Sequence, residues 1–269
     1  MTRGEWHTRP EHVAIPPWTG RNTTRTAALD RQGGPIIGVL GGMGPAATAD
    51  FYTKLVARTP ADIDQDHPKV VIWADPSIPD RTLALTAGGA DPTPWLLRGV
   101  EILLGAGATI IGIPCNTAHA FLPRIGSRLG IPVVHMIDQV GRHLARITPR
   151  VTRVGLLAST GTVQVGLYQG VLSEYGIAVV VPEPDLQANL VMPAIRAIKA
   201  GHVGSEVTRA LTTVGHDLIA RGAQVVVAGC TEIPIALRQN DVPYPLVDPA
   251  LVLAEALVER AMRASARSA

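Results

Sequence analysis

Cysteine is scarce in this sequence, and its two cysteines, Cys115 and Cys230, stand in similar surroundings. A chain of 269 residues is long enough for one large domain or two of ordinary size. With only two cysteines and no export signal, a reducing compartment is indicated, where thiols stay free. We therefore expect a cytoplasmic protein without a disulfide.

Aromatic residues and net charge are also low. Aromatics make up 4% of the chain against 46% hydrophobic residues, so the core must be built from Ala, Val, Leu and Ile. The 24 basic residues are balanced by 22 acidic ones, for a net charge of +2, and no basic tract concentrates them. Apolar runs stay far below the roughly 20 residues of a membrane span. These features argue against nucleic-acid and membrane partners.

The N-terminal segment 1–34 lacks the apolar stretch of a secretory signal and is rich in Arg, Thr, Pro and Gly. We expect a mobile extension outside the folded part of the protein. A cap over a partner subunit is the alternative, which truncation would reveal.

Short apolar runs alternate with helical patterns along the rest of the chain. This alternation predicts an α/β fold with parallel sheets flanked by helices. The predicted strands are 36–40, 69–74, 109–113, 132–135, 153–157, 177–181, 224–228 and 245–247. The predicted helices are 46–58, 92–105, 117–129, 138–147, 162–175, 188–200, 204–221 and 249–265.

The two halves of the chain repeat a pattern. A strand, a turn of small residues and a helix with a tyrosine occur at 35–55 and again at 153–172. Each half then ends with a strand, a cysteine and a second apolar strand. This duplication predicts two pseudosymmetric lobes with an active site in the cleft between them. We place the first lobe at 35–138, the second at 139–247, and a C-terminal helix at 248–269 packing on the first lobe.

Both cysteines come directly after buried strands. The carboxyl ends of parallel strands are where open α/β sheets bind ligands. A buried cysteine is often only a small hydrophobic residue, but two at matching places can face each other across a cleft. A pair of facing acid/base groups is what inversion of a carbon stereocentre requires.

Such chemistry requires a thiolate near neutral pH, whereas a free thiol has a pKa of about 8.5. A helix N-terminus lowers a thiol pKa by about one unit, and hydrogen-bond donors or cations must supply the rest. Asn116, Thr117 and Thr231 follow the cysteines and could donate. His119 is either a proton partner or a packing residue. Glu232 would raise the pKa of a nearby thiol or orient an ammonium group.

Two cations could hold carboxylates of a substrate. Arg81 lies in the loop 77–82 after a predicted strand, and Lys199 lies near the end of a predicted helix. A solvated surface role is the default for such residues. For Lys199 a role at the helix dipole is equally compatible with the sequence.

The glycine-rich turn at 38–48 predicts an anion site, because its backbone N–H groups open a helix. It also fits the dinucleotide pattern G-x-G-x-x-A. The acidic residue expected after the next strand could only be Asp75, which stands farther along than usual. A nicotinamide site is therefore not favoured.

Four motifs together resemble a known family, the aspartate/glutamate racemases, in its aspartate racemase branch. They are GGMGPAAT (41–48), SIPDRT (77–82), PCNTAH (114–119) and GCTE (229–232), and the resemblance spans about 35–265. The resemblance implies a cofactor-independent racemase with two α/β lobes. Met43 and Glu232 replace the aspartate and histidine of the glutamate racemase branch, so helpers for the thiols are less obvious here.

The same resemblance implies the site residues. Cys115 and Cys230 match the two catalytic cysteines. The implied substrate-binding residues are Met43, Gly44, Arg81, Asn116, Thr117, Ser159, Thr160, Lys199, Thr231 and Glu232. Ser159 stands where the family often has threonine, and it keeps the hydroxyl group.

The resulting hypothesis is two-base proton transfer at Cα of an acidic amino acid, with aspartate favoured and glutamate an alternative. No cofactor or metal is expected, and a homodimer is a family expectation. The alternatives are a dicarboxylate isomerase or decarboxylase of the same fold, or a non-catalytic protein that binds acidic amino acids.

Overall fold

The computed structural model describes residues 34–125 and 132–268. The predicted N-terminal extension therefore lies outside the described residues, except for Gly34. The end of the helix predicted at 117–129 also lies outside them.

Two four-stranded parallel sheets form the frame of the protein. The first has the order β2-β1-β3-β4 and the second the order β6-β5-β7-β8. The first sheet comprises β1 (Ile36–Gly41), β2 (Lys69–Ala74), β3 (Ile110–Gly112) and β4 (Val133–Val134). The second comprises β5 (Arg153–Ala158), β6 (Ala178–Val180), β7 (Val225–Gly229) and β8 (Leu246–Val247). The identical order confirms the predicted fold of two pseudosymmetric α/β lobes.

Helices connect the strands and flank both sheets. In the first half they are α1 (Pro45–Arg58), α2 (Arg81–Thr86), α3 (Thr93–Gly105), α4 (Leu122–Ile125) and α5 (Met136–Leu144). The second half has α6 (Thr160–Gln164), α7 (Leu167–Ser173), α8 (Pro184–Leu186), α9 (Met192–Lys199), α10 (Ser205–Ala220), α11 (Ile233–Ala236) and α12 (Pro249–Ser268). Short 3₁₀ turns occupy Asp64–Asp66, Thr117–Phe121 and Gln239–Asp241, and a π-helical turn, Gln187–Val191, joins α8 to α9.

Helix α2 lies in a segment predicted as a loop. It begins because the Asp80 side chain accepts a hydrogen bond from the backbone N–H of Leu83, which caps the first turn. The helix predicted at 162–175 is divided into α6 and α7 at Gly166, whose φ of +63° interrupts the helical backbone. The segment predicted as a helix from 117 begins instead as a 3₁₀ turn.

The central strands are buried because helices cover both faces of each sheet. All of β3 and β7 is buried, whereas β2 lies at a sheet edge and is half-exposed. Helix α12 packs on the first sheet, where Leu253 and Leu257 join a core cluster with Ile37 and Val39. The exact limits of the two lobes stay a prediction.

Close packing of α12 on the first sheet depends on Gly112 in β3. A Cβ at this position would lie 2.5 Å from Cδ1 of Leu257, well inside contact distance. Among the described helices, none combines the length and hydropathy needed to cross a membrane.

Candidate active site

A cavity of about 210 Å³ lies where the carboxyl ends of the two sheets meet. Its volume is below the usual range of pockets for drug-sized ligands, so it suits a small molecule. Residues of both lobes line it: Met43, Asp80, Arg81, Thr82, Leu83, Cys115, Asn116, Thr117, Ser159, Met192, Ile195, Arg196, Lys199, Cys230, Thr231 and Glu232.

The two cysteines reach this cavity from opposite lobes. Cys115 follows β3, and its backbone N–H donates to the carbonyl of Ile113 at 2.8 Å. Cys230 comes directly after β7. Both are buried free thiols, as the sequence predicts for a reducing compartment. One cavity therefore presents one thiol from each sheet.

Glu232 is the centre of a buried network beside Cys230. Its Oε2 accepts a hydrogen bond from the Cys230 thiol at 3.0 Å. Its Oε1 accepts from the ammonium group of Lys199 and from the backbone N–H of Gly44 at 3.1 Å. Because Gly44 belongs to the first lobe, this single carboxylate joins the two lobes at the cavity.

The network holds Cys230 in its neutral form. Burial, and after it the charge of the Glu232 carboxylate, raise the pKa of the Cys230 thiol well above its usual range. The Lys199 ammonium group opposes this shift only in part. Cys230 is thus a thiol at neutral pH in the unliganded protein and can donate a proton.

Lys199 forms an ion pair with the same carboxylate. Burial is the largest single influence and by itself would lower the pKa of Lys199, but the other interactions, first among them the charge of the Glu232 carboxylate, together raise the pKa above its usual range. The Lys199 side chain is still 39% exposed, whereas that of Glu232 is 3% exposed. The ammonium group therefore carries a positive charge at the mouth of the cavity.

Arg81 begins helix α2 with its side chain turned to the cavity. One terminal nitrogen donates to the carbonyls of Ile78 and Pro79, at 2.8 and 2.9 Å, and the other reaches the carbonyl of Met43 at 3.4 Å. The buried Nε has no hydrogen-bond partner in the described part of the chain. No described carboxylate pairs with this guanidinium, so its positive charge is available to bind a ligand.

Polar side chains of the two lobes also meet at and behind the cavity wall. The Thr117 hydroxyl lies 3.0 Å from that of Ser159 and 2.9 Å from that of Thr162. Ser159 and Thr162 are 3.2 Å apart, which closes a triangle of three hydroxyl groups. Asn116 accepts a hydrogen bond at 2.6 Å from Tyr168 of the second lobe.

Two of the residues implied by the resemblance lie beside the main cavity. Gly44 borders an adjoining pocket together with Arg81, Lys199 and Glu232. The Thr160 hydroxyl accepts from the Gln187 amide at 3.3 Å. The described wall brings together Cys115, Cys230 and eight of the ten implied binding residues, and the role of each stays a prediction.

Sequence reasoning missed several residues of the wall. Met192, Ile195 and Arg196 share the cavity-facing side of α9 with Lys199. Their spacing of three and four residues places them on one helical face, a signal that was present in the sequence. Asp80 and Thr82 belong to the loop 77–82, from which only Arg81 was singled out, and Leu83 follows that loop.

His119 is not a proton partner in this arrangement. Its ring is buried, and its Nε2 is 3.1 Å from the carbonyl of Ile113. Burial and the neighbouring His135 lower the pKa of His119 to about 3, so the ring is neutral at physiological pH. Within residues 34–125 and 132–268, no three His, Cys, Asp or Glu side chains could hold a metal together.

The backbone N–H groups of the glycine turn after β1 form hydrogen bonds within the protein. The Gly42 N–H donates to the hydroxyl of Thr48 at 2.8 Å, and that of Gly44 donates to Glu232. A Cβ at Gly42 would lie 2.3 Å from the backbone nitrogen of Asp75, and the φ of Gly42 is +90°. These contacts place the turn against the end of β2, which Asp75 directly follows.

Comparison with known proteins agrees with this architecture. A family model described as Asp/Glu/Hydantoin racemase matches residues 40–257. The broad specificity amino-acid racemase RacX of Bacillus subtilis (strain 168) is 27% identical over 230 residues, covering 83% of this chain and 96% of that protein. The aspartate racemase structure from Picrophilus torridus is 32% identical with a TM-score of 0.77, covering 85% of this chain and 95% of that one. An aspartate racemase homologue from Pyrococcus horikoshii OT3, 24% identical with a TM-score of 0.69, shares the fold over 84% of this chain and 98% of that one.

Proposed function

The chain belongs to the Asp/Glu/Hydantoin racemase family, and from this premise we propose that it racemises an acidic amino acid without a cofactor. Family membership supports the general assignment as an amino-acid racemase. The observation that carries the finer proposal is the shared cavity, which Cys115 and Cys230 enter from opposite lobes. Aspartate is the favoured substrate, and glutamate is the alternative.

Two thiols of unequal protonation can invert a stereocentre. One enters as a thiolate and removes the proton from Cα, and the other donates its S–H proton to the opposite face. After turnover the negative charge has moved from one sulfur to the other, so the pair titrates as a coupled unit. Because Cys230 is held as a thiol, it acts as the proton donor in the resting form and Cys115 acts as the base.

The proposed cations fit a dicarboxylic substrate. The Arg81 guanidinium has no described carboxylate partner and can hold a carboxylate through two N–H donors. Lys199 adds a positive charge at the cavity mouth, although Glu232 already balances it. The carbanion formed at Cα shares its charge with the α-carboxylate, and nearby N–H and hydroxyl donors stabilise that charge.

Incubation of L-aspartate with the protein in D₂O tests the proposal. Deuterium at Cα is followed by NMR and the enantiomer ratio by chiral chromatography. We expect both incorporation of deuterium and inversion. Loss of both across aspartate, glutamate and other acidic amino acids would reject the racemase proposal.

Single cysteine variants separate the two bases. Cys115→Ser and Cys230→Ser should each abolish racemisation, because a hydroxyl is a far weaker acid than a thiol. Proton exchange from one enantiomer alone in either variant would identify the face that its remaining thiol serves. Turnover of maleate or substituted malonates, without racemisation, would favour an isomerase or decarboxylase instead.

A further inference from the structure

Tyr168 lies behind the cavity wall and takes no part in the mechanism derived above. It belongs to α7 in the second lobe and is completely buried. Its ring packs against β7, where a Cβ on Gly229 would lie 3.2 Å from the Tyr168 Cε2. The ring is therefore held in place, and its hydroxyl group reaches Asn116 of the first lobe.

The Tyr168 hydroxyl donates a hydrogen bond of 2.6 Å to Oδ1 of Asn116. Asn116 lines the cavity next to Cys115 and is 2% exposed. Burial, and after it the charge of Asp248, raise the pKa of Tyr168 well above its usual range. The phenol thus keeps its proton and remains a donor.

The other end of the Asn116 side chain is unsatisfied. Its Nδ2 is buried and has no hydrogen-bond partner among residues 34–125 and 132–268. A buried donor without a partner costs about 1–3 kcal/mol, so native structures rarely leave one. Because Tyr168 occupies the oxygen end of the amide, its two N–H groups are directed to the other side.

We propose that Tyr168 is a positioning residue, whose hydroxyl fixes the Asn116 amide so that its N–H groups donate to a carboxylate oxygen of the substrate. The inference rests on the proposed function, since it assigns the donor to the α-carboxylate of an amino acid. The second lobe thereby orients a binding group that the first lobe carries. The orientation of the amide therefore depends on the contact between the two lobes.

The variant Tyr168→Phe removes the hydroxyl and keeps the ring. We expect kcat/KM for aspartate to fall about tenfold, the value of one hydrogen bond to a charged group, mainly through a higher KM. Tyr244→Phe is the matched control, because the Tyr244 hydroxyl is also buried but has no hydrogen-bond partner among the residues that the structure describes. This control should keep the wild-type KM and kcat.

A double variant separates positioning from general structural damage. In an Asn116→Ala background, Tyr168→Phe should have no further effect on substrate affinity, measured by calorimetry with aspartate. An equal loss of affinity in both backgrounds would overturn the proposal. An unchanged kcat/KM and affinity in the single Tyr168→Phe variant would overturn it as well.

A second readout requires no substrate and no activity. The side-chain NH₂ resonances of Asn116, identified by their loss in Asn116→Ala, report the order of the amide in ¹⁵N NMR spectra. They should shift and broaden in Tyr168→Phe and stay unchanged in Tyr244→Phe. Unchanged resonances in Tyr168→Phe would refute positioning even in an active enzyme. If the resonances respond but aspartate is neither bound nor racemised, the proposed function fails while the positioning of the amide stands.

Discussion

The thiol of Cys230 donates to the carboxylate of Glu232 across 3.0 Å, and both side chains are largely buried in the cavity wall. This contact ties the protonation of the thiol to the charge of a single neighbour. The same carboxylate binds Lys199, the backbone of Gly44 and the Thr231 hydroxyl, so four partners share its two oxygens. Four measurements follow from this and from related contacts.

Removal of the Glu232 charge should make Cys230 more reactive. In Glu232→Gln the carboxylate no longer raises the thiol pKa, while Lys199 continues to lower it. The pH profile of iodoacetamide labelling at Cys230, measured by mass spectrometry, should shift to lower pH by about one unit or more. Asp80→Asn removes another negative charge from the same cavity wall and serves as the control. An unchanged profile in Glu232→Gln would contradict the role given to this carboxylate.

Replacement of Arg81 by lysine keeps the charge but removes the planar fork of donors. We expect kcat/KM for aspartate to fall on the order of 10- to 100-fold, mainly through KM, because a lysine cannot hold a carboxylate through two parallel N–H donors. Steady-state kinetics in both directions measure the effect. Arg221→Lys makes the same change in ion pairs with Glu183 and Asp217 outside the described cavity wall, so it should leave the kinetics unaltered. Kinetics equal to those of the wild type in Arg81→Lys would contradict a role of Arg81 in substrate binding.

The hydroxyl triangle between the lobes should contribute to stability. Thr162→Val keeps the shape of the side chain but leaves the hydroxyls of Thr117 and Ser159 without a shared partner. The free energy of unfolding should fall by about 1–3 kcal/mol, as measured by urea denaturation. Thr213→Val is the control, because the Thr213 hydroxyl is exposed and only bonds its own helix. Equal losses in the two variants would show that the triangle has no special contribution.

Buried neutral histidine should make the protein sensitive to acid. The pKa of His119 is about 3 in the folded protein, against about 6.5 in the unfolded chain, so the unfolded state binds the extra proton between these values. Stability is therefore present above pH 6.5 and lost as the pH falls towards 3. The expected slope from this residue is about 1.4 kcal/mol per pH unit.

The variant His119→Gln should remove that slope from the free energy of unfolding, measured by urea denaturation between pH 4 and 7. The glutamine amide can still donate to the Ile113 carbonyl. His202→Gln, at an exposed position, is the matched control. If His119→Gln and the wild type lose stability in parallel as the pH falls, the neutral burial of His119 is not what limits acid stability.

The sequence predicted the sheets and the strand-end residues well, for a physical reason. Buried parallel strands are continuous apolar runs, and all eight predicted runs are strands in the structure. Because parallel strands end at one edge, residues that follow them, such as Cys115 and Cys230, could be placed together before any coordinates were known. Helix α2 was missed because aspartate, the residue type that caps it at Asp80, is also common in loops.

Contacts between the lobes could not be predicted in the same way. The partners Tyr168 and Asn116 lie in different lobes, and nothing in their local patterns indicates that they meet. The same is true of Thr162, whose hydroxyl completes the triangle with Thr117. Such pairs depend on the angle between two sheets, which periodicity within one segment does not encode.

The two halves repeat one another in strand order, yet the thiols have dissimilar neighbours: a carboxylate at Cys230 and an amide beside Cys115. Mirror-image amino acids have the same energy in water, so a racemase must have equal kcat/KM values for the two. In such an enzyme the different surroundings of the two thiols can make kcat and KM differ between the enantiomers only by the same factor. The enantiomer that binds more tightly must then also turn over more slowly.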